Sequence, residues 1–439
     1  MTRTWQDIAK AKQAALSDSI PPEWRVPTDI MPPDSQLDVT GFPRDSGFFT
    51  KDELKYTTAK IPEILQQIHC KAWKAVDVAQ AFSKRAAKTG KPIGPLHGLP
   101  VSLKDNFNII GKDSTLGFVS WVGVPATYNT VLVDVLLKAG AVLYVKTNVP
   151  TAMMIAESVN NTFGRTVNPL NRKLTSGGSS GGESALIAFG GSVLGVGTDI
   201  GGSLRIPAAC TGIFTLRPSF GRFPTANAKS GLAGQEAVNS VNGPMARTLD
   251  DIEFFAKNVV NSEPWKLDPK CLPISWRPVD VGRKLRLGVI WNDGIVVPTP
   301  PVRRALKHAV EKLQEASHEI VDWEPELHQE AMDLLVSPTT PFASVEHGKF
   351  KHVGYTGVFN ILDYSAVSFP SGIYADSELD KAETGIKTLS QMDAQIQAEY
   401  NAGAVHGMPV SLQLVASRLE EEKAVAMTRV VLEGLGVAA

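Results

Sequence analysis

One stretch of this chain is nearly bare backbone: 10 of its 37 glycines fall within the 26 positions from Gly177 to Gly202. Glycine costs a helix or strand interior about 0.5–1 kcal/mol relative to alanine, so it belongs where a chain turns with positive φ or is closely approached. The window reads TSGGSSGGES over 175–184 and GVGTDIGGSLRIP over 195–207. Three glycine-rich devices fit it poorly. The nucleophile elbow G-x-S-x-G matches around Ser179, but it also matches around Ser180, and NPLNRKLT stands where the motif needs a buried strand. A dinucleotide loop would start at Gly195 and Gly197 and then meet Ile200 in place of its third glycine. A phosphate cradle needs lysine after the glycines, and here Gly182 is followed by Glu183. Two readings remain: plain close packing, or turns that present Ser179 and Ser203.

Composition removes other classes. Lys and Arg number 44 against 45 Asp and Glu, a formal charge of −1, and 43% of the residues are hydrophobic. That balance fits a folded globular protein and offers no basic stripe for nucleic acid. Cys70, Cys210 and Cys271 are an odd, scattered set without C-x-x-C spacing, which argues against a disulfide framework or a zinc knuckle and fits a reducing compartment. The eight histidines include no H-E-x-x-H pair, so no metal is expected. The 15 uncharged residues between Glu183 and Asp199 fall short of the roughly 20 apolar ones that span a bilayer. The N-terminus, MTRTWQDIAKAKQAA, has no apolar signal core. No membrane span and a cytoplasmic location are therefore expected.

Along the chain, residues 1–58 alternate short helical patterns with Pro-rich loops (Pro21, Pro22, Pro27, Pro32, Pro33) and read as a helical arm; residues 59–439 read as one domain. From Pro62 to about Lys88 the apolar spacing predicts one or two amphipathic helices. Leu99–Leu103 is a short apolar run bounded by Pro and Asp, which predicts a buried strand with Lys104 at its C-terminal end. Val131–Ala139 reads as a helix stopped by Gly140, and Ala141–Val145 as a strand. Lys284–Trp291, Val302–Ala316 and His318–Trp323 have βαβ spacing, with Pro300 and Pro301 at the helix start. Asp333–Ser337, Ala366–Phe369 and Val410–Val415 predict strands, and Leu419–Leu435 a terminal helix. The serial units predict an α/β fold with a layered sheet.

The two serine turns acquire meaning beside Lys104. A serine hydroxyl is a poor nucleophile until a base takes its proton. A neutral lysine serves as that base if burial lowers its pKa from about 10.4 to roughly 7.5, at a cost of about 4 kcal/mol. The backbone N–H groups of Asp199-Ile200-Gly201-Gly202-Ser203 can converge as a nest, each donor worth about 3 kcal/mol to an oxyanion. Taken alone, Lys104 reads more readily as a surface or salt-bridged lysine than as a base.

With these residues in view, the chain resembles the amidase signature hydrolases. HGLPVSLKDNF carries the family lysine, SGGSSGGESAL its bridging serine, and VGTDIGGSLRIPAACTGIFTLRPSFGR its nucleophile. Within that family WQDIAKAKQ, KTNVPTAMM, GRTVNPLNR, EPWKLDPK and HGMPVSLQLV are similar to the fungal acetamidase or general amidase group. The resemblance implies an α/β/α layered domain with a central mixed, mostly parallel sheet. It implies that Ser203 attacks an amide carbonyl while Ser179, preceded by a cis peptide from Gly178, relays the proton to neutral Lys104. It further implies an oxyanion hole from the N–H groups of Ile200, Gly201, Gly202 and Ser203, with Ser180 supporting and Asp199 paired to Arg205. No cofactor is implied.

The expected activity is hydrolysis of small, acetamide-like carboxamides to carboxylic acid and ammonia, with a small amide as ligand, no nucleic acid, and a homodimer allowed. Two departures from the family pattern stand out. Only Lys88, Thr89 and Gly90 separate FSKRAA from KPIGPLHGLP, and His328–Met332 abuts LLVSPTTP directly, so segments near 88–91 and 328–333 read as internal losses. The alternative is accordingly a weakly active or inactive amidase-like protein that keeps the scaffold but lacks part of the acyl pocket. An amidotransferase-type subunit feeding ammonia to a partner is the third reading, disfavoured by the acetamidase-like arm and C-terminus.

Overall fold

A computed structural model describes residues 4–19, 27–33, 35–70, 72–74, 77–78, 94–282, 284–323, 333–383 and 385–439. Its frame is one ten-stranded sheet. The strands are β1 (Pro100–Lys104), β2 (Val142–Thr147), β5 (Leu194–Asp199), β6 (Phe214–Arg217), β7 (Val241–Ala246), β8 (Arg286–Val289), β9 (Glu319–Asp322), β10 (Leu334–Pro338), β11 (Ser365–Tyr374) and β12 (Pro409–Ala416). β3 (Val159–Asn160) and β4 (Gly164–Arg165) form a separate two-stranded ladder. The order across the large sheet is β2-β1-β5-β7-β6-β11-β12-β10-β8-β9.

The sheet is mixed, as expected. Parallel pairing lies at its two flanks, β2-β1-β5 and β10-β8-β9, while the pairs from β5 to β10 through the centre are antiparallel. "Mostly parallel" therefore describes the flanks, where helices connect successive strands, and not the centre.

Alternation along the strands makes the layers. On β7, Ala246 joins the main core with the helices Leu249–Asn261, Pro300–Glu315 and Glu421–Leu435, whereas its neighbour Met245 packs with Ile187, Leu204 and Ala208 on the opposite face. That second face is covered by the helices Gly181–Ala188 and Arg205–Thr211. The result is the expected α/β/α sandwich.

β1 is buried at all five positions, so its run of apolar residues is a central strand with no wet face. β2, β1 and β5 run parallel and end together at Thr147, Lys104 and Asp199. The carboxyl ends of such strands are where open α/β sheets place ligands.

The N-terminal helix is Trp5–Ser19, with Asp7 in its first turn, and it docks through Lys12 Nζ to Asp113 at 2.7 Å. Helices Phe42–Asp45 and Lys51–Thr58 complete the described part of the arm. The βαβ unit over 284–323 is present as β8, Pro300–Glu315 and parallel β9. Of the amphipathic stretch from Pro62 to about Lys88, helix Ile61–His69 is described; residues 79–93 are not, so the junction near 88–91 lies outside the described residues. Residues 324–332 likewise lie outside them.

Candidate active site

Lys104 is the pivot. It ends β1 at zero exposure, and its Nζ donates to Ser179 Oγ at 2.7 Å, to Thr198 Oγ1 at 2.7 Å and to the Thr198 carbonyl at 3.4 Å. Burial pushes its pKa down from 10.5 to about 7, although the Asp199 and Glu183 carboxylates pull the other way. A lysine so placed is partly neutral near pH 7 and can accept a proton.

Ser179 is brought to it by the turn before helix Gly181–Ala188, and the Gly178–Ser179 peptide is cis. Ser180 braces the same turn. Its N–H donates to the Ser203 carbonyl at 3.2 Å, its hydroxyl to the Thr198 carbonyl at 3.3 Å, and it accepts from Thr198 N–H at 3.3 Å. Gly197 permits this approach, because a Cβ there would stand 2.6 Å from Ser180 Oγ.

Ser203 lies beyond the end of β5, half-buried, in a turn that a glycine completes. Gly202 has φ +125°, and a Cβ on it would collide with the Thr356 side chain. Ser179 and Ser203 are thus held on adjoining turns, although among the described residues no hydrogen bond joins their hydroxyls. Such bonds often form only with substrate in place.

The turn that carries Ser203 is anchored by Asp199. Its carboxylate accepts from Gly202 N–H at 2.8 Å, Leu204 N–H at 3.1 Å, Asn360 Nδ2 at 2.7 Å, and Arg205 Nε and Nη2 at 3.1 and 3.2 Å. Burial alone would raise this carboxyl, but the Arg205 guanidinium and these donors hold it well below the usual range. The expected Asp199–Arg205 pair is therefore present, at zero exposure on both sides.

One expected oxyanion donor is placed differently. The Gly202 N–H is committed to Asp199, because the carboxylate sits under the turn, so it braces the loop instead of facing a substrate. Gly201 behaves otherwise: a Cβ there would meet nothing within 4 Å, so that side of the turn faces open space.

Four side chains that build the site were not foreseen from the sequence. Thr198, one residue before Asp199, supplies the second oxygen on Lys104. Helix Gly354–Ile361 supplies Thr356, whose hydroxyl donates to the Gly201 carbonyl at 2.8 Å, and Asn360, which also accepts from Arg205 Nη2 at 2.6 Å. Gln413 on β12 accepts from Arg205 Nη1 at 3.3 Å. Thr198 and Gln413 lie within GVGTDIGGSLRIP and HGMPVSLQLV, though nothing local to either marks these contacts, whereas Thr356 and Asn360 come from a helix 155 residues beyond their partners and carried no local signal.

A buried lysine hydrogen-bonded to a serine, beside a second serine in a glycine turn, is equipped for acyl transfer. The sequence model described as Amidase matches residues 54–334 and 326–425. The chain belongs to the amidase family.

Other comparisons agree with that assignment. The chain is 34% identical to "Acetamidase" of Emericella nidulans and 32% identical to "Acetamidase" of Aspergillus oryzae, in each case over 99% of both chains. The first alignment runs over 548 positions, whereas this chain has 439 residues, so that relative carries internal segments that this amidase lacks. Among solved structures, "Fatty acid amide hydrolase" superposes with a TM-score of 0.92 at 29% identity, covering 99% of this chain and 96% of the other. "Structure of 6-aminohexanoate cyclic dimer hydrolase complexed with substrate" shares the fold with a TM-score of 0.66 at 19% identity, over 86% and 97%. The protein is an amide-hydrolysing enzyme, and none of its described helices is long and apolar enough to cross a membrane.

Proposed function

We propose that this amidase hydrolyses small, acetamide-like carboxamides to a carboxylic acid and ammonia through an acyl-enzyme on Ser203. The observation that carries the mechanism is the 2.7 Å hydrogen bond from fully buried Lys104 to Ser179 Oγ. Neutral Lys104 takes the proton of Ser179, which takes that of Ser203, and Ser203 Oγ attacks the amide carbon. The N–H groups of Ile200, Gly201 and Ser203 hold the developing oxyanion. The relay returns the proton to the departing nitrogen, releasing ammonia, and water then cleaves the ester by the same path reversed. Family likeness to two acetamidases supports the acyl size. The proposal includes a cytoplasmic location and allows a homodimer.

Ammonia release from a panel running from formamide to benzamide tests the proposal. Turnover is expected to be highest on the small aliphatic amides and lost in Ser203→Ala. A fluorophosphonate probe should add one adduct mass to wild-type protein and none to that variant. Undiminished ammonia release by Ser203→Ala would overturn the assignment.

A second reading, a weakly active or inactive protein with part of the acyl pocket missing, is favoured by one surface. Helix Gly354–Ile361 holds the nucleophile turn with its inner side, yet exposes Val358, Ile361 and Leu362 on its outer side, Ile361 to 73%. The family match divides at 326–334, beside the expected loss near 328–333. A sharp thermal transition, no binding of an apolar dye, and measurable ammonia release would remove this reading.

A further inference from the structure

Glu183 stands directly after the glycines where a phosphate loop would carry lysine, and the proposed relay does not use it. It has zero exposure on the first turn of helix Gly181–Ala188, four residues after Ser179. Its two oxygens accept from Ser102 Oγ at 2.5 Å and from Thr147 Oγ1 at 2.7 Å. Both donors bracket Lys104. Ser102 is two residues earlier on β1 and therefore on the same face, and Thr147 is the register partner of Lys104 on β2. No salt bridge reaches Glu183 among the described residues, whereas the other nearby carboxylate, Asp199, has Arg205.

When Lys104 takes a proton, a cation forms at zero exposure, which is costly unless an opposite charge stands close. Asp199 is already matched by Arg205. We propose that Glu183 is a positioning residue of the relay, the buried counter-charge that sets when Lys104 is protonated and stabilises its ammonium during catalysis. This inference rests on Lys104 being the base of the proposed function.

The surroundings are consistent with the role. Burial pushes the Glu183 carboxyl up to about 7, against the pull of Ser102, Thr147 and Lys104, and burial brings Lys104 down to about 7. The charged and titratable groups facing the pair are few: Asp199 acts on Lys104 from β5, and Tyr144 on β2, itself beside Arg247, faces Glu183. Within that enclosure one proton can reside on either member, so small changes in either environment move the other.

The test is the pH profile of kcat/KM for ammonia release in Glu183→Gln, which keeps the shape and removes the charge. Without the carboxylate Lys104 loses its proton at lower pH. The acid limb is expected to move down by about one pH unit, as for the loss of a nearby charge, with the plateau kcat falling about tenfold. Ser102→Ala removes a hydrogen bond that favours the charged carboxylate, and should move the limb the same way by less; it decides the matter if Glu183→Gln does not fold. An unmoved limb in folded protein, whatever the loss in kcat, would reduce Glu183 to a structural residue and overturn the inference.

A second readout separates this inference from the proposed function. In 13C-lysine-labelled protein, the Cε signal absent from Lys104→Met reports Lys104 directly. Its midpoint should fall in Glu183→Gln even if no amide is turned over, and an unchanged midpoint would sink the counter-charge on its own.

Discussion

Two buried charges sit at neighbouring strand ends, and they are solved in opposite ways. Asp199, ending β5, is saturated: Arg205, Asn360 and two backbone N–H groups fill its oxygens, and its carboxyl is locked in the charged form. Lys104, ending adjacent β1, has two hydroxyls and a carbonyl, with no salt bridge among the described residues. Depth is the same, at zero exposure for both. The number and charge of partners decides whether a buried ion becomes a fixed brace or a titrating base. A site built for proton relay needs one of each, since the base works only if the oxyanion turn beside it does not move.

The largest expected effect is on chemistry. Removing the proposed nucleophile in Ser203→Ala, or the proposed base in Lys104→Met, should lower kcat by at least about 10⁴-fold while the circular dichroism spectrum is unchanged. If either variant keeps a tenth of wild-type ammonia release, the relay is wrong.

On stability the two sites should diverge in sign. Asp199→Ala strands Arg205 at zero exposure without its carboxylate, so urea unfolding should show a loss of about 3–5 kcal/mol. Lys104→Met should do the reverse. The folded pKa of Lys104 is depressed from 10.5 to about 7, so its contribution to stability is fully present above the unfolded value and is lost as pH falls through about 7. At pH 7 the native lysine is a net cost, and methionine should raise stability by about 1–3 kcal/mol after the lost hydrogen bonds are set against it. Equal losses in the two variants would abolish the contrast.

The same depression gives the pH dependence of the reaction. In the proposed relay Lys104 must be neutral to accept the serine proton, so kcat/KM should rise with pH through a midpoint near 7 and then level. A profile flat from pH 5 to 9 would mean that another group is the base.

How much of this was readable depends on range along the chain. Lys104, Ser179 and the Asp199–Arg205 pair lie in local motifs, where turn-forming glycines and an apolar strand announce themselves. β8, Pro300–Glu315 and β9 were readable for the same reason, since periodicity and a Pro-Pro start are local. β7 was not legible: VNGPMA contains a proline, which donates no ladder hydrogen bond, yet it is a buried strand between β5 and β6. Partners on both sides and a hydrophobic face overrode propensity there. Thr356, Asn360 and Gln413 were invisible because only tertiary packing brings them to the turn, which also explains why the commitment of Gly202 N–H to Asp199 could not be foreseen.

Thr198 offers the finest test of the contrast, because it adjoins Asp199 in the chain yet bonds on the Lys104 side: its hydroxyl holds Lys104, and its carbonyl accepts from Lys104 and from Ser180. Thr198→Val keeps the shape and the backbone carbonyl but removes the hydroxyl, leaving Lys104 with Ser179 as its one side-chain partner. An oxygen that accepts from an ammonium favours the charged form, so its loss lowers the pKa of Lys104. The acid limb of kcat/KM should therefore move down by a few tenths of a pH unit, and kcat should fall by about threefold to tenfold as the lysine loses its orientation. Thr198→Ser restores the hydroxyl and should restore both. Because the Asp199 side is left intact, unfolding stability should change by less than about 1.5 kcal/mol. If Thr198→Val instead costs as much stability as Asp199→Ala, then Lys104 belongs to the same rigid brace as Asp199, and the division between a fixed and a titrating charge fails.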